Sequence, residues 1–209
     1  MDKPRLRLVK DDGVAEAIEV VDVEPETRAA LSRLAGVAAA SAASVLAQMV
    51  RAPVPAAEFD VRILAANSAS NLPLLQQAAT VRAHRTVRGD ITGDLFMGQS
   101  EETASWLGSS LSSLGDSDPD WARQRLSDLA GISLAAFGLS LGRSVDMRLE
   151  PELSKEDEVL GVDGALLRIL GERRLALVMQ STSPEQRSIG DFFLFASEEE
   201  VTALVLAVQ

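Results

Sequence analysis

The hexapeptide LSRLAG at residues 31–36 returns as LSDLAG at residues 126–131, an offset of 95 residues. A second pair of similar segments, GDLFMGQSEE at 93–102 and GDFFLFASEE at 190–199, has an offset of 97 residues. Two repeats with nearly the same offset indicate that one ancestral unit was duplicated within the chain. The duplication decides the predicted fold, because both halves must then adopt the same arrangement.

The two predicted repeats cover about 27–114 and 119–208, within a single domain that spans 1–209. The turn-rich cluster GDSDPD at 115–120 separates them. We expect a pseudo-two-fold axis to relate the two halves. Residues 1–16 precede the repeats, and we expect them either to remain a flexible segment or to dock on the edge of the sheet.

Hydrophobic periodicity predicts an α+β fold with the same order of elements in each repeat. The first repeat opens with an alanine-rich helix from Thr27 to about Arg51 and closes with a helix after the N-cap Ser100. Each repeat contributes three strands to a six-stranded sheet, with the two long helices on one face. Eight segments are predicted to be strands, two more than this sheet holds: 17–23, which precedes the repeats, and 59–66, 80–89, 90–98, 144–151, 159–170, 173–181 and 190–197. The predicted helices are 27–51, 102–114, 119–141 and 197–209.

Composition and charge exclude several classes of function. The net charge of −11 disfavours nucleic acid as a partner, because binding to phosphates needs clustered lysine and arginine. The sequence has no run of 18 apolar residues and opens on MDKPRLRLVKDD, without an apolar targeting segment, so we expect a cytoplasmic protein without membrane insertion. Cysteine is absent, which excludes disulfides and thiolate metal ligands.

The sequence offers few residues for familiar enzymatic chemistry. Its single histidine, His84, lies in an alternating segment and is predicted to be a half-exposed strand residue. A hydrolytic triad or a histidine metal site would need partners that the chain barely offers, and no phosphate-binding or dinucleotide-binding glycine motif is present. We therefore expect no metal and no cofactor.

The predicted long helices carry the segments ALSRLAGVAAASAASVL at 30–46 and RLSDLAGISLAAFGLSL at 125–141. These segments resemble the motif ALxEIGNIxxGxAxxxL of the CheC/CheX/FliY chemotaxis phosphatases. The repeated order of helix, three strands and helix is also similar to that family and to the related middle domain of the flagellar switch protein FliM. The resemblance extends from about residue 25 to residue 208, and it implies a CheC-like fold.

The sequence departs from that motif at the residues that carry the chemistry. The family pattern Glu-x-x-Asn implies an acid that anchors the partner and an amide that orients water toward an aspartyl phosphate. This chain has Arg33 and Asp128 at the acid positions, and Gly36 and Gly131 at the amide positions. The resemblance therefore implies that these four residues contact a partner and that only Asp128 keeps an acidic role.

Gln124 lies one helical turn before Asp128 and is a candidate for a substitute amide, since residues four apart share a helix face. The alternative is that Gln124 is a solvated helix residue. Asp128 has a similar alternative, as an exposed acid beside Arg123 and Arg125.

The two glycines need a separate explanation, because glycine inside a helix costs about 1 kcal/mol relative to alanine. With Ala40 and Ala135, Gly36 and Gly131 form small-residue faces. Such faces allow the close approach either of the other long helix or of a docked partner.

Three hypotheses for the function follow. The preferred one is a non-catalytic module of a chemotaxis or two-component pathway, which binds a response regulator receiver domain or another signalling protein. The second is a divergent aspartyl-phosphate phosphatase that acts on a CheY-type regulator through Asp128 and Gln124. The third is an unrelated duplicated scaffold, and formation of a homodimer is left open in each.

Overall fold

A computed structural model describes most of the 209 residues. The described ranges are 7–11, 18–55, 58–69, 81–112, 119–152, 165–166, 168–169, 174–182 and 189–209. The strands are β1 (Arg7–Asp11), β2 (Ile18–Asp22), β3 (Phe59–Ala65), β4 (Val81–Gly89), β5 (Gly93–Gln99), β6 (Leu149–Glu152), β7 (Leu175–Ser181) and β8 (Asp191–Ala196). The helices are α1 (Pro25–Val50), α2 (Ala66–Ala69), α3 (Glu101–Ser112), α4 (Pro119–Ser144) and α5 (Glu198–Ala207).

The strands form one antiparallel sheet in the order β1-β2-β3-β7-β8-β5-β4-β6. The six strands from β3 to β6 keep the same order when β3 is exchanged with β6, β4 with β7 and β5 with β8. A duplicated domain with its pseudo-two-fold axis between β5 and β8 requires this symmetry. The predicted α+β fold is therefore confirmed, with both long helices on one face of the sheet.

The described sheet has eight strands where six were predicted. The additional strands are β1 and β2, which pair with each other and extend the sheet beyond β3, where Val20 faces Leu64. A strand at 17–23 was predicted, and β1 lies within the segment 1–16. Residues 1–6 and 12–17 lie outside the described residues.

The predicted strand at 159–170 is wrong where the structure describes it, since 165–166 and 168–169 are helical. Ala165, Leu166 and Ile169 are buried in a second core with Phe96 and other strand residues. Their spacing places all three on one side of a helix. The apolar run therefore covers the face of the sheet opposite the long helices.

The main core lies between the sheet and the pair of long helices. Small residues bring the two helices close together, and the Ser41 and Ser140 hydroxyl oxygens are 2.9 Å apart. Among the described helices, only α1 is long and apolar enough to cross a membrane by length and composition alone. Ten of its residues are instead buried in the fold, so much of this apolar character belongs to the core.

Matching serines begin the last helix of each repeat. The Ser100 hydroxyl accepts a hydrogen bond from the Thr103 N–H at 3.2 Å, which confirms the predicted N-cap. The Ser197 hydroxyl accepts one from the Glu200 N–H, and the Glu200 carboxylate accepts one from the Ser197 N–H at 2.9 Å. This capping box satisfies N–H groups that the first helical turn leaves open. The SEE of both sequence repeats is thus a helix-start signal.

Candidate functional site

The predicted acid and amide lie together on the solvent side of α4. The Gln124 Nε2 donates a hydrogen bond to the Asp128 Oδ1 at 3.1 Å, and the Arg125 Nη1 lies 4.0 Å from the Asp128 Oδ2. The Asp128 side chain is 45% exposed and that of Arg125 is 55% exposed. The structure thus places Gln124 beside Asp128, whose carboxylate solvent can reach, whereas Arg33 and Gly36 lie on α1.

Asp128 borders a groove of about 540 Å³ where α1, α3 and α4 meet β4. Most of its lining is apolar, and its polar side chains are charged. The lining residues are Met49, Arg85, Leu111, Arg125, Asp128, Leu129 and Ile132. The combination of exposed apolar side chains with charges of both signs suits contact with side chains of a protein partner.

Arg85 reaches this groove from β4 and contacts α4 at Gly131. Its Nη1 donates a hydrogen bond to the His84 carbonyl at 2.8 Å. A Cβ atom on residue 131 would clash with the Arg85 guanidinium. Gly131 therefore allows a basic side chain to cross the helix where the family motif has its amide. Arg85 was not predicted as a site residue. It lies two residues from each of the buried Ala83 and Val87, and this spacing places it on the same side of β4, which faces the helices.

Gly36, the counterpart of Gly131, has a different environment. A Cβ atom added there would meet no atom within 4 Å. Arg33, one turn earlier, is exposed. Packing of the glycines against the other long helix is therefore the wrong interpretation, because Gly36 faces open space and Gly131 makes room for a strand side chain.

Alanine substitutions at Gly36 and at Gly131 should change the free energy of unfolding by different amounts. Gly36→Ala should stabilise the fold by about 1 kcal/mol, because alanine favours the helix and nothing obstructs its methyl group. Gly131→Ala should gain about 1 kcal/mol less than this, since Arg85 must move and give up a hydrogen bond of about that value. Urea unfolding of both variants measures the difference.

The double variant Gly131→Ala/Arg85→Ala serves as the control for this prediction. Relative to Arg85→Ala alone, the alanine at 131 should recover its full helix-forming gain, because residues in contact show non-additive effects. Equal stabilisation by Gly36→Ala and Gly131→Ala in the otherwise native chain would contradict the role given to Arg85.

His84 is buried, so the predicted half-exposed position is wrong. It is 4% exposed, stacks on Phe96 with ring centroids 4.4 Å apart, and its Nε2 lies 2.9 Å from the Asp94 Oδ1. Arg168 donates to the same carboxylate at 2.9 Å, and Arg174 donates at 2.7 Å. The second core covers this face of the sheet, and alternation along the strand could not reveal that cover. Among the described residues, no group of three or more histidine, cysteine, aspartate or glutamate side chains could hold a metal ion.

No family model matches the sequence, and no curated protein matches it significantly. Solved structures do match its fold. FliY of Thermotoga maritima is 11% identical, with 89% of this chain and 97% of that chain covered and a TM-score of 0.50. The FliM–SpeE complex from H. pylori matches at 13% identity, with coverages of 89% and 96% and a TM-score of 0.52. This chain has the FliM and FliY fold.

The FliG–FliM complex from H. pylori also matches, at 12% identity, with 87% of this chain and 100% of that chain covered and a TM-score of 0.51. At these identities the likeness concerns the fold alone. The likeness confirms, for the fold, the resemblance seen in the sequences of the two long helices. The groove beside Asp128 therefore lies in a domain with the FliM and FliY fold.

Proposed function

We propose that this chain is a cytoplasmic, CheC/CheX-like protein of a chemotaxis or two-component pathway that binds a response regulator receiver domain without dephosphorylating it. The observation that carries the proposal is a FliM and FliY fold with glycine at both positions where the related phosphatases have an amide. Catalysis of phosphoryl transfer depends mainly on positioning and charge. A glycine has no side chain with which to position a water molecule.

The solved structures support a protein as the partner. Two of the matching structures are of FliM bound to another protein, SpeE in one case and FliG in the other. The groove beside Asp128 offers what such an interface needs, with exposed apolar contact at Met49 and Ile132 and an accessible acid at its border.

Asp128 is the residue that we expect to anchor the partner, by accepting hydrogen bonds from a basic side chain. The matched position on α1 carries Arg33, which would repel the same basic side chain. Gly36 and Gly131 differ as well, because only Gly131 has Arg85 beside it. We therefore expect one receiver domain per chain, bound at the α4 site.

Phosphatase activity is the second candidate function. The hydrogen bond between Gln124 and Asp128 favours it, since an amide and an acid then lie side by side on one exposed helix face. In this arrangement one amide N–H donates to the carboxylate, so Gln124 would have to orient water through its second N–H or its carbonyl oxygen.

A single-turnover assay tests the proposal. It follows the loss of radiolabelled phosphate from a cognate receiver domain in the presence of stoichiometric protein, while calorimetry measures binding in parallel. We expect binding without faster loss of phosphate. Asp128→Ala should weaken binding about tenfold or more, which corresponds to about 1.4 kcal/mol. Glu199→Ala, which removes an exposed acid on α5, is the matched control and should bind normally.

Two results would count against the proposal. Faster phosphate loss that disappears in Asp128→Ala or Gln124→Ala would establish the phosphatase instead. Absence of binding to every receiver domain of the same genome, with the protein folded, would remove the receiver domain as the partner.

A further inference from the structure

The solvent side of α1 and α4 is uncharged over a long stretch. No charged residue occurs from Leu34 to Val50 on α1, or from Leu129 to Gly142 on α4. Large apolar side chains are exposed there, with Val37 at 55%, Ile132 at 42% and Leu139 at 41%. Exposed apolar surface of this kind, in a chain with a net charge of −11, typically marks an interface.

The two helices present this surface at matched positions, which we call the outer face. On α1 its residues are Arg33, Val37, Ala40, Ser44 and Gln48, and at an offset of 95 on α4 they are Asp128, Ile132, Ala135, Leu139 and Arg143. The spacing of four, three, four and four residues keeps each set on one side of its helix. All of these residues are exposed except Ala135, which is half-buried.

One matched pair in the outer face is charged on both helices, and its charges are opposite. Arg33 immediately precedes the uncharged stretch on α1, and Asp128 immediately precedes the one on α4. Equal charges at these positions would oppose the packing of two identical faces. Opposite charges make the outer face complementary to itself.

We propose that the outer face binds a second copy of this chain through a two-fold axis, with Arg33 of each copy against Asp128 of the other. In a two-fold interface every contact is made twice, so the single pair of opposite charges gives two ion pairs. The exposed apolar side chains Val37, Ile132 and Leu139 lie between these ion pairs and lose their contact with water.

The size of the outer face predicts a reversible dimer. A helical segment of about 15 residues is roughly 22 Å long, and two adjacent helices are roughly 20 Å wide. Such a patch falls at the low end of specific interfaces. We therefore expect a dissociation constant in the micromolar range, on the order of 1–100 µM.

The dimer does not depend on the proposed function, although it covers Asp128. A receiver domain anchored at Asp128 and a second copy of the chain would exclude each other. Partner binding would then become weaker as the concentration of this chain rises.

Sedimentation equilibrium of complementary charge variants tests the dimer. The wild-type chain should associate reversibly, whereas Arg33→Asp alone and Asp128→Arg alone should be monomeric at the same concentrations. An equimolar mixture of the two variants should dimerise again, because one then carries two acids and the other two bases at the matched positions. Glu199→Arg, a charge reversal on α5 outside the outer face, should leave dimerisation unchanged.

Dimerisation of the mixed variants would also show that both variants are folded. The proposal is overturned if the wild-type chain stays monomeric up to its solubility limit, or if the dimer persists in both single variants. It is also overturned if the outer face instead binds phosphatidylcholine vesicles, with Val37→Asp abolishing that binding. None of these outcomes depends on whether a receiver domain binds.

Discussion

Asp94→Asn should destabilise the fold by about 3 kcal/mol. The Asp94 carboxylate is 3% exposed and accepts hydrogen bonds from Arg168 and Arg174, with the His84 imidazole 2.9 Å away. Removal of one partner from a buried ionic group typically costs 3–5 kcal/mol, because the opposite charges stay behind without compensation. We expect the low end of this range, since the Arg168 and Arg174 side chains keep 36% and 24% of their exposure to water. Urea unfolding of the wild type and the variant measures the loss.

Asp60→Asn is the matched control for this prediction. The Asp60 carboxylate also binds an arginine, with 3.1 Å between the Arg62 Nε and the Asp60 Oδ2, but both side chains are more than 40% exposed. An exposed ion pair contributes about 1 kcal/mol at most. If the two variants lost the same free energy of unfolding, the burial of Asp94 would have no energetic consequence and the assigned role would be wrong.

The same aspartate recurs in the second repeat with a different chemical environment. Asp191 occupies the position in GDFFLFASEE that Asp94 occupies in GDLFMGQSEE. Its carboxylate accepts a hydrogen bond from the Ser181 N–H at 2.9 Å. Burial raises the pKa of Asp191, and hydrogen bonds from Ser181 and Gln180 partly oppose this effect. Repeated sequence therefore preserves the fold at these positions without preserving the interactions.

The sequence was sufficient for the parts of the fold that local signals and duplication determine. Ser100 and Ser197 begin helices because a serine followed by acids satisfies the first N–H groups of a helix. The strands predicted at 80–89 and 90–98 are present as β4 and β5, which pair with each other in antiparallel fashion. Because the two repeats have similar sequences, their strands were expected to be arranged in the same way. The symmetric order of the six central strands agrees with this expectation.

Features that depend on contacts between distant segments could not be predicted. The burial of His84 depends on a cover to which Ala165, Leu166 and Ile169 belong, in a segment that was interpreted as a strand. The Arg85 side chain reaches Gly131 only after β4 is placed under α4. The shared helix face of Gln124 and Asp128, by contrast, depends only on helical spacing, and it was predicted.

Phe137→Ala should destabilise the fold by about 3–5 kcal/mol. Phe137 of α4 is fully buried and stacks on Phe192 of β8, with ring centroids 3.8 Å apart and an angle of 6° between the rings. Removal of a buried aromatic ring loses its transfer free energy and leaves a cavity that its neighbours only partly fill. The matched position on α1 is Ala42, so the second repeat supplies a large side chain where the first supplies a small one. Phe137 is the largest of the described fully buried side chains on α4, and thermal or urea unfolding should show the loss.

Leu139→Ala, two residues further along α4, tests whether this side chain contributes to the core or to the outer face. Its side chain is 41% exposed, so truncation should change the free energy of unfolding by roughly 0.5 kcal/mol or less. In sedimentation equilibrium the same variant should weaken the proposed dimer, because Leu139 lies in the centre of the outer face. A large loss of stability in Leu139→Ala would show that this side chain belongs to the core. A stable Leu139→Ala variant that dimerises like the wild type would instead place the contact between copies elsewhere.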